Sequence, residues 1–174
     1  MDHIAGLDDL RPFCYKQDQT IPVYGSKKCL SAIRSRFDYM FGPDRYPGAT
    51  SIDLKEMASG FSFQDVDITP LPVIHGKVNV LGYRLNDIAY LTDVKTIPDS
   101  TKELIHGSEV MILSGLRWKP EHPTHLTIPQ AVDMANELEI PKTYLIHMNS
   151  YVNHEESNRR LPDHVRLAYD HTTI

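Results

Sequence analysis

The sequence predicts a layered α/β (α+β) fold, and three observations predict it. Short apolar segments of strand length, some with clean alternation, crowd the first half of the chain. In the second half such segments alternate with amphipathic helical ones. Capping and breaking residues stand where those segments should begin and end. At 174 residues the chain has the length of one ordinary domain, so residues 1–174 are expected to share a single core.

From Gly25, "GSKKCLSAIRSRFDYMF" reads as a helix, with Leu30, Ile33, Phe37 and Phe41 at helical spacing and Ser26 as its N-cap. A turn-rich "GPDRYPGAT" follows. The segments "SIDLKEM", "FQDVDITPLPVI", "VNVLGYRLN" and "IAYLTDV" read as strands. "PDSTKELIHG" reads as a short helix closed by Gly107, and "EVMILSGL" as a buried strand. "TIPQAVDMANELEI" carries both helix-start signals, Thr127 as N-cap and Pro129 in the first turn. "KTYLIH" is a further strand, "HEESNRRL" a short helix and "VRLAYD" a closing strand. Asp8 and Asp9 are expected on the solvated face of a first helix. Cys14 and Cys29 are expected to be small buried hydrophobes.

Composition excludes several classes. No apolar run approaches the roughly 20 residues that cross a bilayer, and the N-terminus lacks a basic start and apolar h-region. Two cysteines fit a reducing, cytoplasmic setting better than a disulfide framework. The net charge of -5, without a basic stripe, argues against nucleic acid as the main partner but leaves room for a small phosphorylated ligand.

Chemistry gathers at strand ends. "LPVIH" ends in His75, "AYLTD" in Asp93 and "TYLIH" in His147. In open α/β sheets, ligands collect outside the carboxyl ends of strands. A lone histidine at a strand end is more often structural than a ligand; three strand ends sharing the feature shift that balance. Imidazole and carboxylate together suit zinc, manganese or iron. With Asp2 and His3 near the start, five ligands suggest two metals sharing a carboxylate. Arg117 offers a planar fork to a phosphate or, equally, to a surface ion pair. His122 reads as a solvated loop residue, and Trp118 as packing or rim.

Several of these motifs, in order, resemble the metallo-β-lactamase-fold hydrolases, and within them the phosphoribosyl cyclic phosphate phosphodiesterases. "DHIAG" matches the end of the signature T-H-x-H-x-D-H through Asp2, His3 and Gly6. "LPVIHGKVNVLGYRL" resembles the segment bearing the last histidine of the first metal, "AYLTDVKTIP" that of the bridging carboxylate, and "YLIHMNS" the final ligand motif. "HPTHLTIPQA" resembles a substrate-side histidine motif. The resemblance implies an αββα sandwich, two divalent metals (zinc or manganese) and hydrolysis of a small cyclic phosphodiester. It assigns His75 to one metal, Asp2, His3 and His147 to the other, Asp93 to both, and His125 to the substrate or the leaving group.

Two departures stand out. The H-x-H pair has no place before Asp2, and Ser150 stands where a second histidine is common. The expectation is therefore a longer reading frame of which Met1 is an internal residue, with the first strands missing. This chain alone would then hold one metal or none, turn over weakly and associate with itself through bared sheet surface. The competing expectations are an inactive fragment or interaction module, and an RNA-processing nuclease of the same superfamily.

Overall fold

The computed structural model describes residues 3–173, which form two compact units meeting between Ala58 and Ser59. In the first unit a 3₁₀ turn (Ala5–Leu10) leads into helix α1 (Arg11–Gln17), strand β1 (Ile21–Gly25), helix α2 (Lys27–Arg36) and strand β2 (Ile52–Glu56). β1 and β2 pair in parallel, Ile21 opposite Ile52 through Gly25 opposite Glu56. α2 is the connection that a parallel pair requires. Its start is the expected one: the Ser26 hydroxyl accepts from the Cys29 N–H at 3.3 Å. Its end comes early. The periodic pattern runs on to Phe41, but Phe37 leaves the helix at φ -116° and residues 38–40 tighten into a 3₁₀ turn. Ile33, Phe37 and Met40 are buried together as this unit's core.

Two surface expectations are corrected here. Asp8 is half-buried in the 3₁₀ turn and accepts from the Thr50 hydroxyl at 2.7 Å, so it anchors a loop instead of facing solvent freely. Cys14 is buried, but Cys29 lies on the outer face of α2 and is exposed.

The second unit is one seven-stranded sheet whose order in space is its order in sequence: β3 (Phe61–Phe63), β4 (Val66–His75), β5 (Val78–Leu85), β6 (Ile88–Leu91), β7 (Val110–Ser114), β8 (Lys142–Ile146) and β9 (Val165–Leu167). β3 to β6 are antiparallel and joined by tight turns; β6 to β9 are parallel. Each parallel step uses one helix, α3 (Asp99–Ile105), α4 (Ile128–Glu137) or α5 (His154–Arg160). The single strand expected from Phe63 onward is a hairpin instead: Gln64 takes φ 52° and turns β3 back onto β4. Pro70 and Pro72 are tolerated in β4 because β3 covers only Val66–Ile68; beyond that, β4 has one neighbour and the missing N–H groups face its open side.

α4 starts with a full capping box: the Thr127 hydroxyl accepts from the Gln130 N–H, and the Gln130 side chain from the Thr127 N–H. Its face of Ile128, Ala131 and Ala135 is buried and packs on β7 and β8. The two small residues let the helix approach the sheet closely. Leu71, Leu91, Met111, Leu113 and Leu145 are fully buried in the same core.

Leu113 sits on β7, an interior strand of the sheet, with no exposure. Leu113→Ala should cost about 2–5 kcal/mol, the range for opening a cavity in a packed core. A denaturant titration would register this as a lower midpoint with an unchanged slope.

Candidate metal centre

Four side chains converge where strands of the second unit end. His75 is the last residue of β4, and the two-residue turn after it begins with Gly76 at φ 63°. A Cβ at Gly76 would stand 2.6 Å from the Thr124 methyl, so only glycine lets the loop 115–127 lie this close to His75. Across that contact the His75 Nδ1–H donates to the Thr124 carbonyl at 2.8 Å. A carbonyl can only accept, so Nδ1 carries the proton and a neutral His75 keeps its Nε2 lone pair for a metal.

Asp93 follows β6 and His147 follows β8, both at positive φ, 51° and 63°. Such backbone costs about 1–2 kcal/mol per non-glycine residue, and sites of this kind are where it is retained. His147 Nε2 lies 3.0 Å from Asp93 Oδ1. His125 precedes the α4 cap; its ring centroid is 4.6 Å from that of His75 and 4.9 Å from that of His147. One ligand atom each from His75, Asp93 and His125 falls within 4.8 Å of the others.

The donor set fits a divalent cation on two counts. It is nitrogen and carboxylate oxygen, the combination zinc and manganese accept. And His125 Nδ1 is buried with no hydrogen-bond partner among the described residues, 3.7 Å from Asp93 Oδ1, which is too long for a hydrogen bond. A buried polar nitrogen in that condition is costly unless it meets a ligand. Burial holds His125 below the usual histidine pKa, and neighbouring His75 and His147 push it the same way; Asp93 pulls weakly against them.

The other expected site residues fall as follows. Asp2 lies outside the described residues. His3 is an exposed residue of the first unit, in the turn before Ala5. Arg117 turns to its own loop: its Nε–H donates to the Pro120 carbonyl at 2.9 Å and an Nη–H to that of Glu121 at 3.4 Å. It therefore braces the segment that carries His122 and His125. His122 is not the solvated loop residue that the sequence suggests. It is half-buried, its ring centroid 5.0 Å from that of His125, and its Nδ1 accepts from the Thr124 N–H at 3.4 Å. The signal was the H-x-x-H spacing of these two residues. Trp118 is a packing residue: its Nε1–H donates to Ser157 and the Arg160 guanidinium stacks on its ring at 3.7 Å.

The family model described as the β-lactamase superfamily domain matches residues 1–148. The chain belongs to this superfamily. The crystal structure of a diphosphatase from the PhnP family is 33% identical, superposes with a TM-score of 0.85, and is matched over 95% of this chain and 63% of its own. Zinc-bound PqqB from Methylobacterium extorquens shares the fold at 14% identity, with a TM-score of 0.71 over 97% of this chain and 68% of that one. An octanoyltransferase of Porphyromonas gingivalis is 37% identical over 172 residues, 97% of this chain. The chain spans only 35% of that relative, so two thirds of the relative lie outside the likeness. The metallo-β-lactamase fold expected from the motifs is thus the fold of this superfamily member, and the likeness to the PhnP diphosphatase agrees with the branch they pointed to.

The lowered pKa of His125 has a definite sign for stability. The native state favours neutral imidazole, whereas the unfolded chain takes up its proton at about pH 6.5. The contribution is present above that pH and lost as pH falls through it. Metal-free protein should therefore lose stability as pH falls through about 6.5, and His125→Gln should flatten that slope in chemical denaturation.

Proposed function

We propose that the chain supplies the catalytic domain of a metal-dependent phosphodiesterase acting on a small phosphodiester, with His75, Asp93 and His147 as ligands. The observation that carries this reading is the convergence of two strand-end histidines, His75 and His147, on the strand-end carboxylate of Asp93, with His75 already in the metal-binding tautomer. Divalent metals held there would lower the pKa of a water and neutralise phosphoryl charge.

The chain's own residues do the rest. Asp93 Oδ1 lies 3.0 Å from His147 Nε2 and so orients that ring. The Thr124 carbonyl fixes the rotation of His75. His125 serves the substrate side: a neutral imidazole offers one N–H to a phosphoryl oxygen, and it can release that proton to a leaving alkoxide. Arg117 and Thr124 hold its loop. A net charge of -5 disfavours a long polyanionic substrate, so a small diester is preferred over RNA. Zinc or manganese is the proposed metal on donor chemistry.

Metal analysis after reconstitution with zinc and with manganese tests the ligand set. His75→Ala and His147→Ala should each lower the bound stoichiometry, and a stoichiometry near zero in the unsubstituted protein would sink the proposal. His125→Ala separates its two chemical roles. Metal content should stay intact while turnover of a cyclic phosphodiester falls by roughly 10²-fold or more, the usual scale of acid–base catalysis. Loss of metal with this substitution would make His125 a ligand instead.

A further inference from the structure

The first unit contains a cavity of about 280 Å³ that the metal centre's residues do not line. One wall is α1 and the chain just after it, with Arg11, Tyr15 and Gln19; the other is the segment with Arg45, Gly48 and Ser51. The geometry points to a binding site for the phosphate group of a small ligand, held by the Arg11 and Arg45 guanidinia.

The walls are fixed to one another. The Cys14 thiol donates to the Ser51 carbonyl at 3.3 Å, and the Thr20 and Ser51 hydroxyls are 2.9 Å apart. Thr50, fully buried beside them, is tied to Asp8. Arg11 is itself held in place. Its guanidinium lies 5.6 Å from the Tyr46 ring centroid in a cation–π contact. Its Nη2 also lies so close to Gly48 that a Cβ there would approach to 2.7 Å. The turn that brings Tyr46 and Gly48 together is closed by the Ala49 N–H donating to the Tyr46 carbonyl at 2.9 Å.

Charge makes the pocket unusual for this protein. The chain is acidic overall, yet two arginines line one small cavity, and neither forms an ion pair among the described residues. Asp18 is the one carboxylate in the lining. Guanidinium forks match phosphate oxygens two at a time, and the Thr20 and Ser51 hydroxyls can donate to the same group. The volume suits a small ligand rather than a drug-sized one.

Two-dimensional NMR of the zinc-loaded full chain, observing the Arg11 and Arg45 Nε–Hε signals during titration with inorganic phosphate, tests the site directly. Both signals should shift and saturate, with a midpoint at or below about 10 mM, the weak end of specific affinity. Arg45→Gln should raise that midpoint at least about tenfold while leaving the remaining amide spectrum in place, the scale of losing one charge-assisted hydrogen bond. Arg45 is exposed, so the folded spectrum is expected to survive the change. Acetate should bind more weakly than phosphate. The proposal is overturned if the arginine signals do not saturate, if phosphate perturbs only residues around His75 and His147, if Arg45→Gln binds as before, or if acetate binds more tightly than phosphate.

Discussion

The centre depends on main-chain hydrogen bonding that continues past the ends of the strands. The Ile74 N–H donates to the Thr96 carbonyl, and the Lys95 and Thr96 N–H groups donate back to Ile74. That exchange ties the residue before His75 to the segment just after Asp93. The Leu126 N–H donates to the Val94 carbonyl at 3.0 Å, which ties the residue after His125 to the residue after Asp93. Leu116 then donates to Leu126, and Asn149, two residues beyond His147, donates to Leu116. Each candidate ligand is therefore one or a few residues from a backbone bond reaching toward the next. Rotamers alone would leave such groups loose; the shared backbone lattice sets their spacing before any metal arrives.

That lattice also explains how the unfavourable features of the site are held. Asp93 and His147 adopt left-handed backbone, three histidine rings crowd the His125 ring at tilted or edge-on angles with centroids 4.6–5.0 Å away, and one His125 nitrogen is buried without a hydrogen-bond partner among the described residues. None of these would persist on a free loop. Neutral imidazole is the form that coordinates a cation, so bringing these rings together on one carboxylate suits a metal at His75 and His147 and leaves His125 to the substrate side.

The fold was legible wherever a local signal agreed with the global one. Thr127 with Gln130, and Ser26 ahead of α2, mark helix starts that the structure realises through the expected hydrogen bonds. The strand ends at His75, Asp93 and His147 were equally visible, because β-rich apolar runs stop abruptly at a polar ligand. Other features were hidden for physical reasons. β1 is only five residues long, four of them apolar and one of those Pro22, so its sequence does not announce a strand even though its burial alternates. The β3–β4 hairpin turns at Gln64 and Asp65 without glycine, which removes the usual turn signal. α2 looks longer in the sequence than it is because Phe37 and Phe41 keep helical spacing while the backbone has already left the helix, and their packing with Ile33 and Met40 requires only that rough placement.

His122 and Arg117 show why a side chain's role is harder to read than its position. Both lie on the loop 115–127 in polar surroundings, and in sequence each is equally suited to solvent or to a ligand. The structure separates them by where their hydrogen bonds go. Arg117 spends its fork on carbonyls three and four residues ahead, a local contact that closes the loop on itself. His122 uses its Nδ1 on Thr124, whose carbonyl in turn receives His75. Thr124 therefore sits between two histidines, holding one by its N–H and the other by its C=O. A change at Thr124 that shifted the backbone would move His75, His122 and the neighbouring His125 together, while removing its methyl would relax only the contact with Gly76. The precision of the centre thus rests on the backbone of a residue that offers no ligand of its own, and a motif search keyed to ligands would pass over it.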